Sequence, residues 1–269
     1  MNKAWSMTAA ALGLAFTVTA ASQAHRLWLL PSNTVLSGEE SWITVDAAVS
    51  NDLFYFNHVP LGLESIVVTA PDGSNVAIEN GATGKYRSVF DLHLDQQGTY
   101  RIASVRNGFF ASYMLDGERH RWRGQEAEFA AHLPEGASEV ETSRYVGRVE
   151  TFATLGAPSS EALAPTGSGI ELVAVTHPTD LYAGERAEFQ ILLNGEPYAG
   201  ASVELVEGGT RYRDAMAETT LTTDDEGHFS YTWPEAGMYW FEVGHRVEGQ
   251  NGEPGQNYGY AVTLEVLPL

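Results

Sequence analysis

Residues 31–39, PSNTVLSGE, and residues 178–185, PTDLYAGE, are two versions of one pattern, and this internal repeat indicates a duplicated structural unit. In each copy a proline opens a short extended segment, a Gly-Glu pair closes it, and a strand-like stretch follows. A second repeat lies near the end of each half, where QGTYRI at 97–102 is echoed by AGMYWF at 236–241. Because self-similarity within one chain is typical of repeated structural units, the sequence predicts two related domains.

Strand-like segments within the N-terminal copy indicate the type of domain. WITV at 42–45, SIVVT at 65–69 and YRIA at 100–103 are rich in β-branched and aromatic residues, and turn residues bound them. Short strands at this spacing are typical of β-sandwiches. We therefore expect an all-β chain with two immunoglobulin-like β-sandwich domains in tandem, an N-terminal one at 25–106 and a C-terminal one at 168–269.

The stretch between these domains, 107–167, does not follow the strand pattern. It contains the densest basic cluster of the chain, RHRWR at 119–123, and a candidate short helix over 125–132. We expect an irregular, partly helical connecting segment. The arginines could grip a carboxylate or phosphate while Trp122 stacks on the ligand. Pairing of these arginines with the surplus acidic residues of the chain is the favoured alternative.

Residues 1–24 have the features of a removable export signal. Lys3 gives a positive start, an apolar run follows over 9–21, and SQA at 22–24 fits a small-x-small cleavage site. The apolar run is too short for a membrane-spanning helix, so we expect a soluble periplasmic protein that begins at His25. A rival cut after Ser22 would leave Gln-Ala-His as the new start.

Composition narrows the classes of partner and of chemistry. The formal net charge of −20 argues against nucleic acid and is compatible with cations or with simple solubility. The chain has no cysteine, so an exported fold must rely on its cores rather than on disulfides. It has no nucleophile elbow, Walker motif or dinucleotide motif, and we do not expect an enzyme.

A chain that begins with His25 would offer its α-amine and its ring nitrogen as one chelate. Nitrogen donors in tetragonal geometry suit Ni(II) and Cu(II), so the sequence favours a divalent transition metal ion as the ligand. His58 lies in an aromatic loop after the strand that begins at Trp42, and could reach an ion held at the chain start. The alternatives are that the cut falls before a histidine by chance, and that His58 packs among the aromatic rings.

Three further residues are candidate ligands. Alternation along the strand VFDLHLD at 89–95 puts Asp91 and His93 on one face, a geometry that suits a metal ion. An ordinary solvent-facing strand surface is the favoured alternative. His177 precedes Pro178 at a strand end, where its ring would face the junction between the domains, but a structural role is the favoured alternative there too.

The sequence resembles a bacterial periplasmic family of unknown function whose members are linked to nickel or cobalt uptake. The matching segments span most of the chain beyond the signal; they are AHRLWLLPS at 24–32, DAAVSNDLFYFNH at 46–58, RWRG at 121–124 and VTHPTDLYAGE at 175–185. The resemblance implies a metal-binding accessory protein that works with an outer-membrane receptor or an inner-membrane metal transporter. It also implies His25 and His58 as ligands, and it assigns no role to His177.

A weaker resemblance connects the chain to periplasmic copper-binding sandwich proteins of the copper-resistance type, which use an Asp-x-His pair such as Asp91-Leu92-His93. We expect a protein that binds Ni(II), or else Cu(II) or Co(II), as the free ion or a chelate. A metal-independent glycan- or protein-binding module, with the aromatic segment 54–56 and Trp122 as contact surface, is the second hypothesis. An oxidative copper enzyme built on two histidines is the third.

Overall fold

The computed structural model describes residues 25–250 and 252–269, so the expected export signal at 1–24 lies outside the described residues. Within the described ranges the chain forms three β-sheets and one α-helix, α1 (Glu126–His132). Single turns of 3-10 helix occur at Leu63–Ser65, Glu161–Leu163 and Thr210–Tyr212. The prediction of an all-β, sandwich-like protein is confirmed.

Each half of the chain contributes one small sheet, and a long sheet runs through both halves. The N-terminal sheet contains β1 (Arg26–Pro31), β3 (Ser41–Ser50), β4 (Val59–Pro60), β7 (Glu79–Thr83) and β8 (Ser88–Leu94). The long sheet contains β2 (Val35–Leu36), β5 (Ile66–Thr69), β6 (Asn75–Val76), β9 (Gly98–Leu115), β10 (Glu118–Gly124), β11 (Ser138–Leu155), β15 (Ser202–Glu207), β16 (Thr219–Thr222), β18 (Gly237–Val247) and β19 (Gly255–Val266). The C-terminal sheet contains β12 (Ile170–Ala174), β13 (Arg186–Leu193), β14 (Glu196–Pro197) and β17 (His228–Thr232).

The internal repeats occupy equivalent places in the two halves. Val35 pairs in parallel with Thr154 near the end of β11, and Tyr182 pairs in parallel with Leu267 just after β19. The second repeat supplies the glycine that opens β9 and the glycine that opens β18, and both glycines have positive φ. A backbone conformation that favours glycine explains why both copies keep it.

The halves meet where their last strands pair. β11 and β19 run parallel, with Ser143 opposite Gly255 and Glu150 opposite Val262. The long sheet is therefore continuous from β16 at one edge to β6 at the other. The expected boundary at residue 107 falls inside β9, so no linker begins there.

The prediction of an irregular segment at 107–167 is wrong for most of its length. β9 and β11 are long strands that pair antiparallel almost throughout, with α1 and β10 between them. The strand signal is weak because one face of these strands is solvated, and Arg, Ser, Gly and Tyr replace the usual apolar alternation there. The outer part of β9, β10, α1 and the outer part of β11 form a projecting unit, which we call the arm.

Two large hydrophobic cores lie on the long sheet, and a small third core lies in the arm. Trp240 of β18 packs in the N-terminal core, and Phe152 of β11 packs in the C-terminal core. Each core therefore uses residues from the other half of the chain. None of the helices in the described ranges has the length and apolar character needed to cross a membrane.

A candidate metal centre at the start of the first strand

His25 and His58 lie on either side of the end of β3. His25 precedes β1, whose Arg26 pairs with Ser50, and His58 precedes β4, whose Val59 pairs with Val49. Two strands that flank a third are about 9.6 Å apart, a gap that two imidazole side chains can bridge when they lean toward each other. The sheet therefore brings together the two histidines that the family resemblance implies as ligands.

The two rings lie face to face. Their centroids are 3.9 Å apart and their planes differ by 8°. Ring lone pairs lie in the ring plane, so parallel rings do not aim at a common point; one ring must rotate before both bind one ion at about 2 Å. His25 is exposed and His58 is half-buried, which leaves His25 room for that rotation.

A chain of hydrogen bonds fixes the start of β1 to the loop that carries His58. The buried Trp28 donates from Nε1 to Ser50 Oγ at 2.8 Å, and Ser50 Oγ donates to the carbonyl of Asp52 at 2.6 Å. Asn57 closes the other end of the loop, since its Oδ1 accepts from the amide of Asn51 and its Nδ2 donates to Asp52. Both histidines are thus held by groups within three residues of them.

Aromatic rings fill the space below this loop. Phe54 has a φ of 60°, which is uncommon for a bulky side chain. Its ring packs edge-to-face with Trp28, and the ring centroids are 5.5 Å apart. Phe56 also contacts Trp28, and the guanidinium of Arg87 lies 4.3 Å above the Phe56 ring. A cavity of about 270 Å³ opens beside the loop, lined by Leu53–Phe56 and by residues 209–212.

Carboxylates surround the arginine next to His25. Arg26 binds Glu204 at 2.8 Å and Glu218 at 2.5 Å, so its positive charge is offset. Glu242 lies opposite Glu204 on the neighbouring strand. Burial raises the pKa of Glu242 to about 7, Glu204 adds to the rise, and Arg26 opposes it. The charge of Arg26 is thus no barrier to a cation at His25.

Asp91 and His93 lie at the opposite end of the N-terminal sheet. The predicted alternation along β8 is correct, but His93 pairs with Trp42 at the start of β3, whereas His25 lies near Ser50 at its end. At about 3.3 Å per residue this separates the pair from His25 by roughly 26 Å. A shared metal site with His25 is therefore ruled out, and this prediction is corrected.

Asp91 and His93 each interact with other residues of the N-terminal half. His93 stacks on Trp42 with ring centroids 4.5 Å apart, and its Nε2 lies 3.2 Å from Glu40. Asp91 accepts hydrogen bonds from Thr44 and Asn80, which lower its pKa.

His177 faces the junction between the halves, as expected, but its ring nitrogens are already bonded. Nδ1 accepts from the amide of Thr179 at 3.3 Å, so Nε2 carries the proton and donates to the Ser159 carbonyl at 3.1 Å. Thr99 lies 3.2 Å from the same Nε2 and joins a threonine chain through Thr154. This arrangement makes His177 a structural residue rather than a ligand.

The basic cluster at 119–123 lies on β10, within the arm. Trp122 is half-buried and packs against Phe109 and Phe129 of the small core, so only part of its ring is free for the ligand contact that the sequence suggests. Arg119 forms an ion pair with Glu139 at 3.1 Å, as expected if these arginines pair with acidic residues of the chain.

Within the described ranges no three side chains of His, Cys, Asp or Glu gather at one point in a way that could hold a metal ion. The candidate centre thus consists of two imidazoles, and a third nitrogen comes only from the amine that cleavage before His25 would free. Sequence reasoning missed Glu242, because its burial and its pairing with Glu204 depend on a strand register that no local pattern reveals.

Comparison with known proteins identifies a family but no activity. A family model described as "Domain of unknown function (DUF4198)" matches residues 22–247. No curated protein matches the chain. Among solved structures, the D0-D1 domain of intimin is 11% identical with a TM-score of 0.21, over 88% of this chain and 96% of that one.

A second similar structure is Escherichia coli alpha-2-macroglobulin activated by porcine elastase. It is 13% identical with a TM-score of 0.23, over 91% of this chain and 20% of that one. At these TM-scores the similarities support no statement about fold or function. The architecture therefore rests on the strand pairing described above.

Proposed function

The chain belongs to the DUF4198 family, a domain of unknown function, and we propose that it is a periplasmic accessory protein that binds a divalent transition metal ion. The single observation that carries this proposal is the stacking of His25 on His58 at 3.9 Å. The two imidazoles come from different strands' ends, and one of them belongs to His25, the residue that export would make the amino terminus. In this proposal His25 supplies its amine and its imidazole, and His58 supplies a second imidazole.

The proposed cargo is Ni(II), with Cu(II) and Co(II) as alternatives. Three nitrogen donors suit all three ions, and nitrogen-rich sites favour Cu(II) and Ni(II) by intrinsic affinity. Placing nickel first follows from the resemblance to proteins linked to nickel or cobalt uptake. An outer-membrane receptor or an inner-membrane metal transporter is the proposed partner, and the cargo arrives as a free ion or a chelate.

The test is calorimetric titration of the exported protein with each ion, after intact-mass analysis has fixed its first residue. We expect dissociation constants well below millimolar and weaker binding at lower pH, because protons compete for the amine and the rings. A matched version with Gly-Ser-Gly-Ser before His25 keeps both imidazoles but moves the amine away. We expect about 100-fold weaker binding for that version, and equal binding by both would contradict the proposal.

A second candidate function, metal-independent binding of a glycan or of a protein, is supported by the cavity beside the His58 loop. Its lining of Leu53, Phe54, Tyr55 and Phe56 on one side and residues 209–212 on the other is rich in aromatic rings. Apolar walls with a few polar groups are typical of ligand cavities. Glycan or protein binding that a chelator leaves unchanged would favour this candidate over the metal proposal.

We also propose that the chain consists of two tandem immunoglobulin-like units. The paired repeats and the two large cores support it. The continuous long sheet makes the two units interdependent. Isolated residues 168–269 would keep β18 but lose β11, one of the two neighbours of β19, and we expect that they do not fold alone.

A further inference from the structure

The arm ends in a hairpin whose outer strand has one free edge. β10 pairs with β9 alone among the described residues, with Glu118 opposite Leu115 and Gly124 opposite Phe109. The strand β11 occupies the other side of β9, and α1 covers one face of the arm through Phe129. The second edge of β10 therefore has no neighbouring strand in the described structure.

The hairpin turn determines which residues of β10 direct their backbone groups to that edge. Asp116 and Gly117 form a two-residue loop, and both have positive φ, at 52° and 83°, as a type I′ turn requires. The residues that flank such a loop, Leu115 and Glu118, form a hydrogen-bonded pair, and pairs then alternate along the ladder. The N–H and C=O groups of Arg119, Arg121 and Arg123 accordingly point to the free edge.

The same three arginines place their side chains on one exposed face. Their burial alternates with that of His120 and Trp122, which turn toward the small core and are half-buried. Arg119 is paired with Glu139 at 3.1 Å and Glu141 at 3.6 Å. Arg123 lies over the Phe110 ring at 5.1 Å. The free edge thus combines outward backbone hydrogen-bonding groups with three arginines on one exposed face, of which Arg119 and Arg123 now direct their guanidinium groups over β11 and β9.

We propose that the free edge of β10 binds an extended acidic segment of a partner protein, which adds as a further antiparallel strand. Strand addition satisfies the outward backbone groups of the three arginines. In that arrangement every second residue of the added strand lies directly opposite an arginine, where opposite charges stabilise the pair. The specificity is therefore for a strand with acidic side chains at alternate positions.

A second copy of this chain does not fit the same edge. Antiparallel pairing of two β10 strands about their centres places Arg121 opposite Arg121 and Arg119 opposite Arg123. Like charges directly opposite each other destabilise a sheet. The arginine row also rejects apolar strands, so the charges that prevent unspecific pairing are the charges that select an acidic partner.

The test uses fluorescence anisotropy with the full exported protein and two labelled nine-residue peptides of equal composition. One peptide has three glutamates at alternate positions, and the other has them in a run. We expect the alternating peptide to bind about tenfold more tightly, since only it opposes all three arginines. Equal binding of the two peptides would overturn the proposal.

Variants at Arg121 separate charge from strand addition. Arg121→Thr removes the charge and keeps the edge N–H, and we expect binding of the alternating peptide to weaken about threefold. Arg121→Pro also removes the N–H that faces the edge, and we expect a further loss of about tenfold. Arg246→Thr, at an exposed arginine on β18, is the matched control and leaves binding unchanged.

A charge-reversed protein provides an independent test in case the proline variant misfolds. With Arg119, Arg121 and Arg123 all changed to Glu, the hairpin keeps its backbone and should prefer an alternating lysine peptide over the glutamate peptide. Equal binding by the Thr and Pro variants, or no change of preference on charge reversal, would contradict strand addition. A dimer of the unmodified protein that Arg121→Pro dissociates would also overturn the proposal, in favour of a second copy.

Discussion

The imidazole of His25 lies parallel to that of His58, with 3.9 Å between the ring centroids. The two residues are far apart in sequence and lie on opposite sides of β3. The hydrogen bond from Trp28 to Ser50, and those from Asn57 to the loop, hold the two residues in place before any ligand arrives. In the proposed metal site, rotation of one ring would let both imidazoles converge on one ion.

Replacing His58 should weaken metal binding, whereas replacing His93 should not. His58→Ala removes a proposed ligand, and we expect the Ni(II) or Cu(II) dissociation constant to rise about 100-fold in calorimetric titration. His93→Ala is the matched control, because His93 is half-buried, stacks on an aromatic ring as His58 stacks on His25, and lies roughly 26 Å from the site. Similar losses in the two variants would contradict the assignment of the ligands.

Ionisation of the Glu242 carboxyl should make the folded protein less stable as pH rises. Its pKa is about 7 in the folded protein against 4.5 for the free side chain, so the folded state holds a proton that the unfolded state has lost between these values. Stability therefore falls as pH rises from about 4.5 to 7. Glu242→Gln should raise the free energy of unfolding by roughly 1–3 kcal/mol at pH 8 and leave it unchanged near pH 4. Urea unfolding at both pH values measures this, and an equal effect at the two would show that Glu242 titrates normally.

His177→Ala should destabilise the protein without affecting metal binding. The substitution removes the hydrogen bonds that link Thr179 to the Ser159 carbonyl across the ring. We expect a loss of about 1–3 kcal/mol in the free energy of unfolding, because polar groups at a half-buried junction lose their partners. His132→Ala, at an exposed histidine on α1, is the control and should change stability by less than about 0.5 kcal/mol. A clear loss of metal affinity in His177→Ala would reopen its role as a ligand.

The shared sheet should make the two halves unfold together. β11 and β19 pair in parallel across the junction, and the Trp240 indole donates to the Leu27 carbonyl at 2.9 Å. Differential scanning calorimetry should therefore show one transition whose calorimetric and van't Hoff enthalpies agree. Two separated transitions would mean that the halves are independent domains.

The repeats predicted the fold class because they carry local signals. Gly98 and Gly237 each open a long strand, and their preference for positive φ can be read from a single position. The junction between the halves could not be read in this way, since pairing of Ser143 with Gly255 is a long-range contact that local patterns do not encode.

For the candidate site too, local features could be predicted from the sequence, whereas long-range placement could not. Alternation placed Asp91 and His93 correctly on one face of β8 but said nothing about which end of β3 they would meet. The chemistry of a chain-starting histidine indicates His25, the aromatic loop indicates His58, and the family resemblance implies both as ligands. The role of His177 depends on Ser159 and Thr179, whose positions follow only from the tertiary fold.

Pulsed EPR of protein that begins at His25, loaded with one equivalent of Cu(II), is the sharpest test of the proposed metal site, because the remote ring nitrogens of bound imidazoles give a signal that can be counted. We expect two imidazoles on one copper ion in the unmodified protein and one in His58→Ala. A single imidazole in the unmodified protein, or two that persist in His58→Ala, would contradict it.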